Sequence, residues 1–342
     1  MYEDIGEPRD APAPHHESEC TKSGKRGEKT ELSDTAFRQV EKHYKLYKYD
    51  RKEAKRHPPR QTDFSEVVDM RNDDANNVQN RAMIKQVAVS KELGVPVKTF
   101  SGVEGLYFLP GALSVVEQRF WAFTALEKFA RGPEPFPNNL TTLNSETVTN
   151  QYVLGMRWAT LGYKYDWTKK VYNKEAFSPF PSALRDVCRR IVAQLPALEN
   201  ARPATAYDPQ TAIVNYFPTG SMMMAHQDKS EVSLECPLVS ISLGCTAVFL
   251  MGTANRDDKP YAFYLRSGDA VVFTGPSRLA YHAVPRVLDD CPAELLDSEK
   301  AGQTEAGDGG ELKLGQRMAG LRININVRQV YDETVDLPEI AL

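Results

Sequence analysis

The apolar positions of the chain recur at helical intervals in its first half and in short alternating runs in its second half. The first helical run is predicted to begin at Ser33 or Asp34, which can cap a helix, and to stop at Pro58. A second helix is predicted over 114–131, where one broad apolar stripe should face the core. The stripe consists of Val115, Val116, Phe120, Phe123, Leu126 and Phe129. A third helix is predicted within "SPFPSALRDVCRRIVAQL".

Beyond residue 210 the pattern changes to short β-rich runs that are separated by Gly, Pro, Asn and Asp. The runs cover 211–217, 237–244, 246–252, 261–268, 269–275 and 322–330. Their spacing is typical of an antiparallel sandwich or barrel. An acidic, Gly-containing insert at 289–316 interrupts the barrel and is predicted to be a mobile loop.

Composition limits the class of protein. The 342 residues are 41% hydrophobic, which is enough for one large or two small cores, and the aperiodic residues 1–31 are predicted to be a disordered tail. No stretch has the roughly 18 apolar residues of a membrane helix, and "MYEDIGEPRD" lacks the apolar region of a signal peptide. Five cysteines without a CxxC pair favour a reducing compartment. We therefore expect a soluble intracellular monomer, in the nucleus or the cytoplasm, with the mitochondrion left open.

Charge is distributed unevenly, although the formal net charge is only −4. Between Lys42 and Arg60, eight Lys or Arg residues stand against two acids. This segment is predicted to be a basic amphipathic helix that contacts nucleic acid. The candidate phosphate contacts are Lys45, Lys48, Lys52 and Lys55. The alternative is a solvated helix face that is docked through its aromatic residues.

Two residues in "AHQDKSE", His226 and Asp228, are candidate metal ligands. On a strand, residues two apart project from the same face, so the imidazole and the carboxylate would point to one place. The spacing alone also suits an ordinary pair of hydrogen-bonded polar residues. The distribution of histidines favours the metal site. Four of the six histidines lie in the first 57 residues, so His282 is the one remaining histidine that could join His226 within the predicted β region. Two histidines and one carboxylate suit Fe(II) and leave one face of the metal open.

The last predicted strand, "LRININVRQV", carries two arginines on one face. Alternation directs Arg322, Asn324, Asn326 and Arg328 to one side and three apolar residues to the other. Two inward arginines are costly to bury unpaired, so an anionic ligand is expected. A 2-oxo acid would serve, because it can supply electrons to an iron while its far carboxylate pairs with an arginine. An edge strand with a hydrated polar face is the alternative.

Together these elements resemble the AlkB family of Fe(II)- and 2-oxoglutarate-dependent dioxygenases. The resemblance runs through "NYF", "AHQDKSE", "PLVSISLGCTAVFLMG", "SGDAVVF", "SRLAYHAVPRV" and "RININVRQV". Upstream, "FRQVEKHYKLY", "DFS" and "MRWATLGYKYDWTKKVYNKEAFSPFPSAL" are similar to the branch of the first human AlkB homologue, so that the resemblance covers residues 36–331.

The resemblance implies an α+β fold built on a double-stranded β-helix, or jelly-roll barrel. A basic helical N-terminal extension at 32–100 would precede a dioxygenase domain at 101–342. Within that domain, an aromatic nucleotide-recognition lid would lie at about 152–180 and the barrel at about 210–331.

The resemblance also implies the co-substrates and their ligands. Fe(II) would be held by His226, Asp228 and His282, and O₂ would react there. The positions expected to bind 2-oxoglutarate are Asn215, Phe217, Arg322, Asn324 and Arg328.

Two positions depart from the usual family pattern. The family has a tyrosine where Phe217 stands, so a hydrogen bond to 2-oxoglutarate is absent, and Tyr216 points to the opposite face. Loss of one bond to a charged group costs about 1.5 to 3 kcal/mol, which weakens binding without abolishing it. Bacterial members have an acid where Ser230 stands, near the methylated base. Ser230 and Glu231 are expected near the substrate, but bacterial specificity is not assumed.

The activity implied by the resemblance is oxidative removal of N-methyl groups from nucleobases as formaldehyde. Four aromatic residues would sandwich a base that has left its stack, namely Trp158, Tyr163, Tyr165 and Trp167. The alternative for them is a packed β-hairpin over the barrel mouth. The basic segment and the lid favour nucleic acid as substrate, with tRNA placed before unpaired DNA. A histone-type protein-directed dioxygenase, which would need a peptide groove, and a nucleic-acid-binding or lyase protein remain alternatives.

Overall fold

The computed structural model describes residues 34–46, 61–130, 156–196, 207–296 and 314–333, together with Pro338 and Leu342. More of these residues belong to strands than to helices. The strands are β1 Ile84–Val89, β2 Pro96–Phe100, β3 Val103–Leu109, β4 Trp158–Asp166, β5 Val171–Phe177, β6 Thr211–Pro218, β7 Met223–His226, β8 Leu238–Gly244, β9 Ala247–Met251, β10 Tyr261–Leu265, β11 Ala270–Phe273, β12 His282–Val287 and β13 Leu321–Arg328.

The helices of the described residues are short. They are α1 Ala36–Tyr44, α2 Val78–Met83, α3 Val115–Thr124, α4 Ser182–Val192, α5 Ala293–Leu296 and α6 Leu314–Met318. A π-helical turn, Ala125–Phe129, continues α3, and 3-10 turns lie at Asp73–Ala75 and Gly275–Leu279. Within the described ranges, no helix has both the length and the apolar character needed to cross a bilayer.

The strands form two antiparallel sheets. The larger sheet has the order β1-β2-β3-β11-β8-β13-β6-β4-β5, and the smaller has the order β10-β9-β12-β7. From β6 to β13 the chain passes between the two sheets at almost every connection, since β6, β8, β11 and β13 lie in the larger sheet and the intervening strands in the smaller. This confirms the predicted α+β class with antiparallel sheets.

Apolar side chains fill three layers around these sheets. Helices α3 and α4 cover the outer face of the larger sheet, where Trp121 and Ile191 pack in the same cluster as Ile325. A second cluster, which includes Phe108 and Phe263, lies between the two sheets. Helix α1 covers the outer face of the smaller sheet through Phe37 and Tyr44. The space between the sheets is therefore lined by strands and by the segments that join them, and the candidate site lies there.

Strand β13 shows how alternation builds that space. It pairs with β6 on one side and with β8 on the other, so it is central in the larger sheet. Its apolar residues Ile323, Ile325 and Val327 enter the cluster beneath α3 and α4. Its polar residues therefore face the smaller sheet, as the sequence predicts.

The N-terminal part departs from the predicted helical extension in two respects. Helix α1 is capped by Thr35 and ends at Tyr44, because Lys45 has an extended backbone. The rest of the predicted helix, residues 47–60, lies outside the described residues. In addition, β1 and β2 extend the larger sheet beside β3, so residues 84–100 belong to the sheet and not to a helical extension.

Helix α3 buries a different face from the predicted one. Val115, Val116, Phe120 and Phe123 are exposed, and of the predicted stripe only Leu126 and Phe129 are buried. The helix instead buries Trp121, Ala122 and Ala125 against the larger sheet. The prediction is wrong for four of the six positions, because the helix also carries apolar residues on the face that docks on the sheet. The predicted insert is described only at its two ends, in α5 and α6.

Candidate active site

The predicted metal ligands come together at one end of the smaller sheet. His226 is the last residue of β7 and His282 is the first residue of β12, and the two lie directly opposite each other in the antiparallel pair. Their ring centroids are 4.3 Å apart. One donor atom each from His226, Asp228 and His282 lies within 4.8 Å of the other two. Such a set could hold a divalent metal ion by one face.

Both histidines direct the same ring nitrogen towards the site. Nδ1 of His226 lies 2.9 Å from the carbonyl oxygen of Met224, and Nδ1 of His282 lies 3.2 Å from that of Ala280. Because a carbonyl oxygen only accepts, Nδ1 donates in each ring and the lone pair of Nε2 is free for a metal. Burial lowers the pKa of His282 to about 4, so this ring is neutral at pH 7.

The Asp228 carboxylate is held through one of its oxygens. Asn326 Nδ2 and Arg328 Nη2 donate to Oδ2 over 3.1 Å and 3.2 Å, and Oδ1 lies 4.0 Å from Nε2 of His226. Burial alone would raise the pKa of Asp228, but Arg328 and the two histidines lower it well below its usual value. The carboxylate is therefore ionised at neutral pH, as metal binding requires.

A buried ion-pair network lies behind Asp228. Glu231 pairs with Arg328 at 2.8 Å and with Arg278 at 3.4 Å, and its side chain is fully buried. Arg278 also donates to the backbone oxygen of Asp228 over 3.2 Å. The prediction that Glu231 lies near the substrate is therefore wrong, since its carboxylate is an internal partner of two arginines. Arg328, predicted to bind 2-oxoglutarate, likewise gives both terminal nitrogens to Glu231 and Asp228.

Arg322 is placed to bind an anion. Its side chain is 1% exposed and lines the same cavity as the metal-ligand set. Nη2 donates to Ser242 over 2.9 Å, whereas Nε and Nη1 have no hydrogen-bond partner among the described residues. Burial lowers the pKa of Arg322 to about 10, which still leaves it protonated at pH 7. A buried cation with two unused donors fits the carboxylate of a 2-oxo acid.

The other predicted 2-oxoglutarate positions surround Arg322. The Phe217 ring centroid is 5.8 Å from its guanidinium carbon, and the side-chain amides of Asn215 and Asn324 are 3.5 Å apart across β6 and β13. Tyr216 points to the opposite side, as alternation predicts, where its hydroxyl donates to the backbone after α3. All five predicted positions, including Arg328, thus line one cavity.

The cavity has a volume of roughly 690 Å³ and aromatic walls. Tyr165, Trp167 and Tyr172 reach it from the β4–β5 hairpin, and Tyr281 reaches it from the segment before β12. The Tyr165 hydroxyl lies 3.0 Å from the Ser230 hydroxyl, which joins the hairpin to the segment after β7. The Trp167 ring is half-exposed at the mouth.

Two further aromatic residues of the predicted lid do not line the cavity. The Trp158 ring lies against that of Trp167, with centroids 4.8 Å apart, and supports it from outside the cavity. Tyr163 is 1% exposed and packs edge-to-face against Tyr331 in the core, so its predicted substrate contact is wrong. The reason is local: the pairing with β5 shifts between Tyr163 and Lys164, which breaks the alternation between Tyr163 and Tyr165.

Basic side chains surround the mouth of the cavity. Lys170, Lys229 and Arg256, which we call the cationic rim, are exposed and line it. Lys229 donates to the Gln227 side chain and Arg256 stacks on a tyrosine ring, and no carboxylate of the described residues pairs with any of the three. Asp228 is the only acid among the described residues that line the cavity.

The predicted phosphate contacts of the basic segment are described in part. Lys45 follows α1 directly. Lys48, Lys52 and Lys55 lie outside the described residues. The cationic rim is thus the basic surface that the structure shows at the site.

Residues 105–328 match the 2OG-Fe(II) oxygenase superfamily. The chain belongs to this superfamily. An Arabidopsis thaliana protein named DNA N(6)-methyladenine demethylase ALKBH1A is 32% identical over 87% of this chain and 96% of its own length. The Schizosaccharomyces pombe tRNA demethylase abh1 is 39% identical over 51% of this chain and 53% of its own. The human nucleic acid dioxygenase ALKBH1 is 38% identical over 41% and 34%. The predicted resemblance to the AlkB family is confirmed.

Oxygenases of this superfamily use Fe(II), 2-oxoglutarate and O₂, and the residues of this one fit those groups. The two imidazoles and the carboxylate supply the donor types that Fe(II) prefers. The unpaired nitrogens of Arg322 supply a buried cationic partner for a carboxylate. The fit therefore rests on donor chemistry as well as on similarity.

Sequence reasoning missed several residues of the oxygenase site. Arg278, Tyr172 and Tyr281 come from separate segments and meet only through the fold. Tyr281 could have been found, because it stands directly before the predicted ligand His282. The ion pair of Arg278 with Glu231 joins residues 47 positions apart and has no local signal in the sequence.

Proposed function

We propose that this oxygenase removes N-methyl groups from nucleobases of nucleic acid, with Fe(II), 2-oxoglutarate and O₂ as co-substrates. The observation that carries the proposal is one cavity in which the metal-ligand set and Arg322 lie beneath aromatic walls and a cationic rim. A small acid alone would need neither the aromatic walls nor the rim. The relatives whose names specify demethylation of DNA or tRNA support the same reading.

The aromatic walls suit a planar base. A nucleobase in a duplex or a stacked loop has to leave its stack before an oxidant can reach an N-methyl group. Stacking on an aromatic side chain is worth about 1 to 3 kcal/mol for each base, which offsets part of that cost. We assign this role to Trp167 and Tyr165, with Trp158 as the support of Trp167.

The cationic rim suits the phosphates on either side of that base. Lys170 stands at the turn of the β4–β5 hairpin, whereas Lys229 and Arg256 belong to the segments after β7 and β9. A nucleic-acid strand that enters the cavity would therefore meet basic side chains from three separate segments of the chain. Because the basic side chains have no acidic partner among the described residues, they can neutralise phosphates without first breaking an ion pair.

The remaining residues orient the co-substrates. We assign His226, Asp228 and His282 to the metal, and Arg322, Asn215 and Asn324 to 2-oxoglutarate. When bound, iron and 2-oxoglutarate supply an oxidant derived from O₂ that inserts oxygen into a C–H bond of the methyl group, with release of succinate and CO₂. The resulting N-hydroxymethyl group breaks at its C–N bond: the bonding electrons stay on the base nitrogen, which takes up a proton, and the hydroxyl group loses its proton as formaldehyde leaves.

The protein itself supplies orientation and exclusion of water around that chemistry. The neutral His282 ring and the ionised Asp228 are already in the protonation states that a metal requires. The buried guanidinium of Arg322 fixes one end of the 2-oxo acid. Phe217 gives an apolar contact where a hydroxyl would give a hydrogen bond, so affinity for 2-oxoglutarate should be lower than it would be with tyrosine.

Within nucleic acids we propose an unpaired base of folded RNA, with tRNA first and single-stranded DNA second. A loop base is removed from its stack at smaller cost than a paired base. A chain segment that carries eight Lys or Arg between Lys42 and Arg60 adds attraction for a folded polyanion.

The test supplies the full chain with Fe(II), 2-oxoglutarate and O₂ and offers three methylated substrates: an RNA stem-loop, an unpaired DNA strand and a histone-type peptide. We expect formaldehyde and succinate in equal amounts with the RNA, less with the DNA, and no demethylation by His282→Ala. Nucleoside mass spectrometry identifies the base. Formaldehyde from the peptide alone would refute the proposal in favour of a protein-directed oxygenase, and succinate without formaldehyde from any substrate would refute demethylation.

A further inference from the structure

The strand that carries His226 lies at the edge of its sheet. Strand β7 is four residues long, is the last strand in the order β10-β9-β12-β7, and pairs with β12 in an irregular register. His226 is also the more exposed of the two candidate histidine ligands, with 35% of its side chain accessible against 10% for His282. Its position therefore depends on what holds the outer edge of β7.

Two charged side chains bind the peptide groups of Ala225, directly before His226. The Ala225 N–H donates to Oε1 of Glu41 over 2.7 Å, and its carbonyl oxygen accepts from Nη2 of Arg256 over 3.1 Å. A neighbouring strand would normally supply both partners of such a residue. Here a helix side chain and a loop side chain replace the missing strand.

Glu41 reaches this position from α1, 184 residues away along the chain. Its side chain is 3% exposed, and its second oxygen accepts from Arg38 over 2.9 Å. The helix itself is fixed by Phe37 and Tyr44, which pack on the outer face of the smaller sheet. A buried carboxylate with both oxygens occupied is held far more rigidly than a surface side chain.

The contacts of α1, Arg256 and Ala225 form a closed ring. The Phe37 N–H donates to the backbone oxygen of Arg256 over 3.1 Å, Arg256 donates to Ala225, and Ala225 donates to Glu41 on the same helix as Phe37. Displacement of any member strains the other hydrogen bonds. The ring thus fixes the backbone that precedes His226.

We propose that Glu41 is a positioning residue for the metal site, which holds β7 so that His226 meets Asp228 and His282. Glu41 lies outside residues 105–328, which match the superfamily, so α1 completes a site that the matched region alone would leave with a loose ligand. This inference concerns the metal-ligand set and does not depend on the identity of the methylated substrate.

The test measures Mn(II) affinity of the full chain by electron paramagnetic resonance, because Mn(II) is redox-stable and reports the donor set without turnover. Outer-shell partners of metal ligands typically change metal affinity by about 10- to 100-fold. Glu41→Asp keeps the charge but shortens the side chain, so its oxygen no longer reaches Ala225, and we expect about a tenfold weaker Mn(II) affinity. Glu41→Gln keeps an acceptor oxygen at the same distance and should remain close to wild type.

Thr35→Ala is the matched control for helix stability. The Thr35 hydroxyl caps α1 by accepting from the Arg38 N–H, and it does not touch β7. This variant should lower the melting temperature and leave Mn(II) affinity unchanged. The proposal is overturned if Glu41→Asp binds Mn(II) as tightly as wild type, or if Thr35→Ala loses as much affinity as Glu41→Asp. The reverse order of the two Glu41 variants would also overturn it, because charge and not the bond to Ala225 would then matter.

Discussion

Asn326 donates a hydrogen bond to Oδ2 of Asp228 over 3.1 Å, from a strand that begins almost one hundred residues later. Arg328 donates to the same oxygen from the same face of β13. The two donors fix the rotation of the carboxylate, so that Oδ1 points towards His226. One strand therefore orients the predicted metal carboxylate and, through Arg322, also provides the cationic end of the cavity.

Removal of the Asn326 amide should loosen Asp228 while leaving its charge unchanged. We expect Asn326→Leu to weaken Fe(II) affinity by about tenfold, in the range found for outer-shell partners of metal ligands. The control is Asn173→Leu on the exposed face of β5. Anaerobic Fe(II) titration of both variants checks the prediction, which equal affinities would contradict.

Phe217→Tyr should strengthen binding of 2-oxoglutarate. The ring lines the cavity beside Arg322, so a hydroxyl added there can donate to the co-substrate. A hydrogen bond to a charged group is worth about 1.5 to 3 kcal/mol, and even a fraction of this should lower the KM for 2-oxoglutarate severalfold. Arg322→Ala should raise that KM severely, since the charged partner is lost.

Succinate formation at varied 2-oxoglutarate concentration measures both variants. Tyr216→Phe is the matched control, because Tyr216 points away from the cavity. It removes one hydroxyl and should leave this KM unchanged. A higher KM for Phe217→Tyr would mean that the ring is packed too tightly to accept a hydroxyl, and that 2-oxoglutarate binds elsewhere in the cavity.

Alternation along strands explains why much of the site could be predicted from the sequence. β7 ends at His226, so Asp228 reaches the site from the segment after the strand, but Arg322, Asn324, Asn326 and Arg328 do occupy one face of a single strand. Period-two geometry brings such residues together regardless of the rest of the fold. To predict that His226 and His282 meet, it was enough to expect that the two β runs which carry them belong to one sheet.

Other features depend on contacts that the local sequence does not encode. Helix α3 has apolar residues around most of its circumference, so its sequence could not decide which face would dock. Tyr163 and Tyr165 obey alternation in the sequence, yet the register of β4 on β5 shifts between Tyr163 and Lys164, so that the two rings reach different surroundings. Glu231 is polar and next to a candidate ligand, but two arginines from distant segments enclose it.

Glu231→Gln should lower stability and leave the KM for the nucleic acid unchanged. Removing one charge from a buried network leaves Arg278 and Arg328 without their shared partner, and breaking such pairs costs about 3 to 5 kcal/mol. Urea denaturation measures the loss, and steady-state demethylation measures the KM. Ser230→Ala is the comparison, because Ser230 lines the cavity and should change the KM. A raised KM with unchanged stability for Glu231→Gln would restore its predicted substrate contact.

Glu117 gives a pH-dependent contribution to stability at the start of α3. Its carboxylate accepts from Ser114 to complete a capping box and also pairs with Arg190 on α4. Burial would raise the pKa of Glu117, but Arg190 and Ser114 lower it below its ordinary 4.5. A carboxyl whose folded pKa is depressed stabilises the fold above the unfolded pKa, and the contribution disappears as the pH falls through the folded pKa.

The free energy of unfolding of Glu117→Gln should therefore be lower than that of wild type at pH 7, by about 0.5 to 1 kcal/mol, because Gln keeps the capping-box acceptor but loses the negative charge at the helix N-terminus. The difference should shrink below pH 4.5. Urea denaturation at a series of pH values measures it, with the exposed Glu104→Gln as control. If the difference in stability is the same at every pH, the Gln side chain destabilises the fold through its shape, and the charge of Glu117 plays no part.

Reversal of charge at the cationic rim should weaken binding of folded RNA. Lys170 and Lys229 are exposed, line the cavity, and belong to separate parts of the chain, the β4–β5 turn and the segment after β7. Each lysine that neutralises a phosphate releases a counterion, so the slope of log affinity against log salt should fall by about 0.7 for each contact with a single strand. We expect the double variant Lys170→Glu/Lys229→Glu to lose affinity for tRNA most strongly at low salt and to show a slope reduced by about 1.4. The double variant Lys91→Glu/Lys259→Glu changes the net charge equally at exposed positions that do not line the cavity, and it should keep both affinity and slope. Equal losses in the two double variants would assign the effect to overall charge, and an unchanged slope in the rim variant would place the phosphates away from the cavity mouth.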